Sequence, residues 1–416
     1  MATTTQQRSL DDDLTAPEFT DDPYPAYARL RDEDPVHWSE PWQQWVVSRH
    51  ADVLRILRDP LTFSSAGWEA GFLRRFPTAV YERLPAIRAH FDTQFVSISD
   101  PPEHTRLRRP IVKALTPRVV ETLRPRIEAI VDGLLDRVDE RGGRIDYVRD
   151  FAYPLPATVI ADILGIPADD REQFMGWSAD VMDFLSTGNP SLERAERAQT
   201  SMASMRDYAR QLIVERRERP DEALISLLIA AIGLEEPFSE KELVVTTIAL
   251  ITAGHETTAN LLSSGLLALL RHPDQLARLR EDPGLVETAV EEFLRFDAPL
   301  QRFRRVVAAD VEVGGRTFRA GEFVMAFGGS ANHDPAVFTD PDRVDVGRIP
   351  NPHLAFGQGI HFCVGAGVSR LEARIVFDRL LSRYRYIRFA PDSSVTWRAN
   401  IAFRGLATFP VELECR

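Results

Sequence analysis

Apolar positions recur at helical spacing over most of this 416-residue chain. The periodicity predicts long helices over about 103–115, 118–140, 155–164, 169–186, 191–218, 240–270, 284–296 and 363–382, and shorter ones over 23–34 and 50–58. Asp100-Pro101-Pro102 marks one helix start, because proline suits a first turn. From Leu243 to Ile251 the pattern is apolar nearly all round, as in a helix buried at the centre of a protein. Strand signals are sparse and mostly late. Val36–Trp38 and Trp45–Val47 read as an antiparallel pair, Val306–Val313 runs through a Gly314-Gly315 turn into Thr317–Phe323, and a further stretch follows Tyr386. Residues 66–98 carry Trp68, Phe72, Phe76, Tyr81, Phe91 and Phe95 among arginines, with no clean period. The first twenty or so residues are polar and acidic and are expected to be loose. Breaks are short and nothing repeats. The expectation is a single, mainly α domain with a minor β region.

Composition narrows the function. The net charge of -12 disfavours a general nucleic-acid binder. The longest apolar run, Leu243–Ala253, falls well short of the roughly 20 residues of a membrane span. The N-terminus shows no apolar leader core, so a cytoplasmic protein is expected. Two cysteines, Cys363 and Cys415, exclude a disulfide scaffold.

The segment from Phe356 to Gly365 (FGQGIHFCVG) carries the chemistry. Its glycines allow tight turns, and a thiolate entering a helix N-terminus is favoured by the dipole and free N–H groups. The plain alternative is a structural cysteine beside a glycine turn. The segment resembles the heme-binding loop of cytochrome P450 enzymes, Phe-Gly-x-Gly-x-His/Arg-x-Cys-x-Gly, at Phe356, Gly357, Gly359, His361, Cys363 and Gly365. The resemblance implies the P450 fold, a helix-rich single domain around a buried heme b, with Cys363 as proximal iron ligand. No flavin or nicotinamide is expected in this chain.

A second motif interrupts the apolar helix: Ala253-Gly254-His255-Glu256-Thr257-Thr258. His-Glu on a helix could open a zinc-protease motif, but the required second histidine is Ala259. The segment resembles the family's oxygen-activation motif. That implies that Ala253 and Gly254 border the heme, Gly254 letting the helix open for dioxygen. Glu256 and Thr257 are then the proton-delivery and oxygen-activation residues. A threonine bonding back to a carbonyl and bending the helix is the simpler reading.

The remaining candidates follow from the resemblance. Glu292 and Arg295, at i and i+3 on one helix face, match the Glu-x-x-Arg pattern. Arg343, in Pro341-Asp342-Arg343-Val344-Asp345, is expected to complete a structural ion-pair network with them. His104, Arg108, Arg305 and His361 are expected to hold the heme propionates, Arg305 being preferred to Arg302 and Arg304 by its spacing to Asp310. The implied substrate pocket comprises Phe95, Val96, Ala249, Thr252, Gln301, Phe303, Ala402 and Phe403. Phe174, Trp177, Met182 and Phe184 are lid candidates, and Arg302 and Arg404 candidate anchors for a substrate carboxylate.

The implied activity is monooxygenation of an apolar or amphipathic organic molecule, with O2 as co-substrate. Electrons come from a ferredoxin and its NAD(P)H-dependent reductase, which would dock on Arg106, Arg109, Lys113, Arg370 and Arg374. A monomer that binds neither nucleic acid nor membrane is expected. A peroxide-driven hydroxylase of the same fold is disfavoured by Glu256-Thr257. A non-catalytic heme sensor would leave that motif without a purpose.

Overall fold

A computed structural model describes residues 8–73, 76–186, 191–230, 238–391 and 393–416 of the protein. The first helices are α1 (Leu10–Thr15), α2 (Tyr24–Glu33), α3 (His50–Arg58), α4 (Trp68–Leu73), α5 (Thr78–Tyr81) and α6 (Pro85–Phe91). Next come α7 (Glu103–Ala114), α8 (Pro117–Thr122), α9 (Arg124–Glu140), α10 (Pro154–Leu164), α11 (Arg171–Ser186) and α12 (Leu192–Glu218). The last are α13 (Leu224–Ala230), α14 (Glu240–Arg271), α15 (Pro273–Glu281), α16 (Val286–Phe296), α17 (Gly328–Ala331) and α18 (Ala366–Arg383). The early strands are β1 (Val36–Ser39), β2 (Gln44–Val47), β3 (Phe63–Ser64) and β4 (Arg144–Asp146). The middle ones are β5 (Phe303–Val307), β6 (Val311–Val313), β7 (Arg316–Phe318) and β8 (Phe323–Ala326). The chain closes with β9 (Tyr384–Phe389), β10 (Thr396–Trp397), β11 (Leu406–Thr408) and β12 (Pro410–Cys415).

The all-round apolar stretch becomes the N-terminal half of α14, the axis of the molecule. Ser239 and Glu242 form a capping box that fixes where α14 begins. Its next turns bury Leu243, Val244, Val245 and Ile248. Helix α14 packs against α10, α12, α16 and α18. Two apolar clusters result. One joins α9, α14, α16 and α18, and the other joins α6, α11, α12 and the start of α14. The sheets are peripheral. The largest has the order β1-β2-β8-β5-β3, and only β2 with β8 is parallel. A second has the order β4-β12-β9. No described helix is long and apolar enough to cross a membrane.

Four expectations change. Residues 8–20 are ordered: a Ser9–Asp12 capping box starts α1, and Leu14 and Phe19 are buried. Residues 1–7 lie outside the described residues. The single helix expected over 118–140 is broken at Leu123, because Pro125 restarts it as α9. The irregular stretch after residue 66 holds α4, α5 and α6, too short for a period to show; the Phe72 side chain lies outside the described residues. Finally, Val306–Val313 is not one strand. Its first residues belong to β5 in the large sheet, and 311–313 pair with β7 in a separate hairpin.

Candidate functional site

The cysteine loop is a folded turn. Gly357 and Gly359 both hold φ of 69°, a conformation that costs other residues about 1 kcal/mol or more. A Cβ on Gly359 would also stand 2.6 Å from the Leu57 carbonyl oxygen. A 3-10 turn over Gly359–His361 comes next, and the Cys363 N–H donates to the Phe356 carbonyl at 2.9 Å, closing the loop. Helix α18 starts at Ala366, three residues later than the periodicity predicts. Cys363 is therefore a loop residue. Its thiol is accessible, yet protein packs around it densely enough that burial pushes its pKa up. The Gly365 and Ala366 N–H groups and the charges of Arg108 and Arg370 act the other way, favouring thiolate. Phe356 lies under the Arg370 guanidinium, 4.6 Å from its ring centre. Glu291 accepts two bonds from Arg370, at 2.7 and 2.7 Å. Burial opposes that charge, but Arg370 and His353 hold the Glu291 pKa at about 2.

Beside the loop four basic side chains meet. His361 and His104 lie edge to face, 4.5 Å between ring centres. Burial and the charges of Arg305, His104 and Arg108 hold the His361 pKa down to about 3. Burial also lowers His104, with Arg108 adding to the effect. Arg108 donates to the Phe362 carbonyl. His361 Nε2 and Ser65 Oγ are 3.0 Å apart. The three competing arginines separate cleanly. The charge of Arg305 acts on His361, Arg304 stacks on Trp68 at 3.9 Å, and Arg302 packs between Trp42 and Phe327.

Asp100 acts on His104 but already accepts from Ser64 and Ser65. His104 Nε2 is buried without a partner, a state that costs about 1–3 kcal/mol. A heme propionate would give His104 Nε2 the partner it lacks, and Cys363 is exposed to receive the iron. The residues present fit a heme.

Helix α14 carries the second motif. Most of its residues are buried, but Ala253 is exposed and Ala249 and Thr257 partly so. These three stand at i, i+4 and i+8, one accessible stripe on an interior helix. Thr257 Oγ1 donates to the Ala253 carbonyl at 3.0 Å, and Thr252 bonds back to Ile248 at 3.0 Å. Glu256 is 8% exposed and accepts from Arg398 Nη1 at 2.9 Å. His255 turns away, contacting the Ile251 carbonyl at 3.0 Å and the Tyr153 hydroxyl at 3.1 Å. Gly254 does not open the helix, which runs unbroken through it. It makes room for α10, since a Cβ there would stand 2.8 Å from Ile160 Cγ1.

The structural ion pair forms with a different third member. Arg295 donates to both Glu292 oxygens, at 2.8 and 2.9 Å, and all of it is buried. The second guanidinium on Glu292 belongs to Arg348, at 3.0 Å. Arg343 is exposed and offers only its backbone carbonyl, to Arg295 at 3.2 Å. In a loop no periodicity tells two arginines five positions apart which one turns inward.

The expected pocket residues divide. Phe95, Val96, Ala249 and Thr252 flank the α7 entrance and the accessible side of α14. Phe303 packs against Gly328 and Gly357, on the cysteine loop itself. Gln301 is core: it accepts from Tyr27 Oη at 3.0 Å and donates to Ala298 at 2.7 Å. Ala402 is 4% exposed, and Phe403 bridges to Leu300. Phe174 and Phe184 are buried in the α11–α12 cluster. Arg302 and Arg404 are both buried. Arg302 donates to the Ile401 carbonyl, and Arg404 holds Asp297 and the carbonyls of Thr20 and Asp21. In the basic patch, Arg106, Arg370 and Arg374 are paired with glutamates. Arg109 and Lys113 are exposed and form no ion pair among the described residues. Ser65, Arg398 and Arg348 had no sequence signal, since each acts across more than fifty positions.

A family model described as Cytochrome P450 matches residues 69–395. Nocardicin C N-oxygenase of Nocardia uniformis subsp. tsuyamanensis is 41% identical over 397 residues, covering 94% of this chain and 95% of that one. Vitamin D(3) 25-hydroxylase of Pseudonocardia autotrophica is 38% identical over 406 residues, covering 96% of each. The crystal structure of CYP109E1 from Bacillus megaterium in complex with testosterone superposes with a TM-score of 0.85 at 31% identity, covering 97% of this chain and 99% of that one.

Proposed function

The chain belongs to the cytochrome P450 family, and from that premise we propose that it inserts one oxygen atom from O2 into an apolar or amphipathic organic substrate. Electrons come from a separate ferredoxin and its reductase. The observation that carries this reading is the pairing of an exposed cysteine, beside the basic cluster of His104, Arg108, Arg305 and His361, with an accessible stripe on a buried helix. When bound, the heme supplies reductive activation of dioxygen and transfer of the oxygen atom.

The chain's own residues do the rest. Cys363 would ligate the iron, its charge stabilised by the Gly365 and Ala366 N–H groups. His104, Arg108, Arg305 and His361 would hold the propionates. Ala249 and Ala253 keep the α14 wall flat and apolar, so the substrate sits against methyl groups and water is displaced. Thr257 Oγ1 donates its hydrogen bond to the Ala253 carbonyl and thereby leaves its lone pairs free to accept. Glu256 holds the next proton position. Its partner Arg398 is 32% exposed, so that pair links the buried carboxylate to outside water. The Arg398 contact must loosen for Glu256 to pass a proton inward. Its low exposure and the unbroken α14 backbone make that a side-chain motion. By their names, two relatives act on different molecules, nocardicin C and vitamin D(3), which accords with a pocket set by local side chains.

The test is turnover under 18O2 with ferredoxin, reductase and NADPH, using a compound that shifts the heme spin state. One labelled oxygen in the product is expected. Thr257→Ala is expected to keep consuming NADPH while product falls about tenfold or more, the range for loss of a positioned proton-transfer group. Unlabelled product, or undiminished product yield from Thr257→Ala, overturns the reading.

A further inference from the structure

Helix α12 holds a buried guanidinium for which no ion-pair partner is found among the described residues. Arg206, on α12, is 8% exposed. Its Nη1 is buried without a hydrogen-bond partner, and no ion pair reaches it among the described residues. The carboxylate acting on it is that of Asp207, its neighbour in the chain. Asp207 is 79% exposed and bonded to Arg210. A buried charge without a partner is costly, so the position calls for an anion that the described residues do not provide.

A second donor stands beside it. His90, at the end of α6, is 4% exposed, and its Nδ1 is also buried and unpartnered. The two elements are docked in register. Gln199 of α12 accepts from the Ala86 and Ile87 N–H groups at the start of α6, at 3.0 and 3.2 Å. Arg206 stands seven positions along the same helix face, and its charge acts on His90 at the other end of α6, on which α12 packs. Burial and the Arg206 charge hold the His90 pKa down to about 3, so the imidazole is neutral and has one N–H to give. No carbonyl at the α6 C-terminus accepts from Arg206.

The surroundings are apolar and continuous with the site. The Phe95 ring centre lies 5.1 Å from that of His90. One apolar cluster joins Ile87 and Met202 to Ile248 of α14 and to Val364, the neighbour of Cys363.

We propose that Arg206, assisted by His90, receives the carboxylate of the substrate, which is therefore an amphipathic organic acid with its apolar body directed towards the Cys363 side. This deepens the monooxygenase reading and rests on it. The guanidinium offers paired N–H donors and His90 a third, a set matched to the planar oxygens of a carboxylate. Arg404, one of the two arginines that sequence reading favoured for this role, is held by Asp297 and by the Thr20 and Asp21 carbonyls.

Calorimetric titration of the heme-loaded protein with decanoate and with decanamide tests it. The acid is expected to bind at least about tenfold tighter than the amide, the scale of a buried charge-assisted hydrogen bond. Arg206→Met should abolish that preference and leave decanamide binding within about twofold, while Arg206→Lys keeps part of it. Without ligand, Arg206→Met should melt no lower than wild type, because it removes an unpaired charge; a scaffold role for Arg206 would lower the midpoint. Equal binding of acid and amide by wild type, or an acid preference that survives Arg206→Met, overturns the proposal. The carbon monoxide spectrum of the same preparation separates the two readings. A wrong spectrum with the acid preference intact defeats the monooxygenase assignment alone, and a correct spectrum with no preference defeats this proposal alone.

Discussion

The two arginines that compete for Glu292 give a sharp stability contrast. Glu292 accepts from Arg295, from Arg348 at 3.0 and 3.2 Å, from the Asp345 N–H at 2.9 Å and from Asn351 at 3.2 Å. Arg348→Ala removes its two contacts and strips a donor from the Thr339 carbonyl at 2.7 Å. Each hydrogen bond to a charged group contributes about 1.5–3 kcal/mol. The Glu292–Arg295 pair stays neutral in sum, so no unpaired buried charge is added. The expected loss is about 2–4 kcal/mol. Arg343→Ala keeps the carbonyl that Arg295 uses and removes an exposed side chain, so less than about 0.5 kcal/mol should go. Glu292→Gln strands two guanidiniums and should exceed both, at about 3–5 kcal/mol or more, against a total stability of about 5–15. Urea midpoints of the heme-loaded variants, followed by circular dichroism and heme absorbance, check the order. Equal losses for Arg343→Ala and Arg348→Ala would refute the assignment of Arg348.

Three further outcomes are expected. Gly359→Ala places a Cβ 2.6 Å from the Leu57 carbonyl and forces a left-handed φ; it should destabilise by about 1–3 kcal/mol and lower heme content per protein, read as the ratio of Soret to protein absorbance. Arg109→Glu and Lys113→Glu should each slow reduction by ferredoxin in stopped flow at low salt, with the heme spectrum unchanged and the effect fading as salt is added. His90, neutral when folded with a pKa of about 3 and ordinarily near 6.5, binds a proton only on unfolding between those values. Stability should therefore fall as pH drops from about 6.5 towards 3, by roughly 2–3 kcal/mol at pH 4.5 from this group; His90→Phe should flatten that part of the profile.

The sequence made the axis of the molecule readable because buried helices write themselves in local apolar runs. Helices α14, α12 and α16 were legible for this reason, and the cysteine loop because six of its positions are constrained by backbone turns and a ligand. The hidden features depend on contacts between distant segments. The α1 segment is polar in sequence, yet Leu14 and Phe19 anchor it, and Arg404 clamps the Thr20 and Asp21 carbonyls just beyond it. Arg348 rather than Arg343 turns towards Glu292, a choice made by loop geometry alone. Gln301 reads as a pocket residue until Tyr27, two hundred and seventy-four positions away, is seen bonded to it. Gly254 reads as a helix break and is instead a contact with Ile160. The missing counter-ion of Arg206 is visible only once α6 and α12 are side by side.

The central claim is that Cys363 carries a heme as thiolate. It is tested most directly by the absorption spectrum of the dithionite-reduced protein under carbon monoxide. A thiolate-type Soret band is expected in wild type and should be lost in Cys363→Ser and Cys363→His. A protein that takes up no heme, or a thiolate-type band that survives Cys363→Ser, would contradict the account.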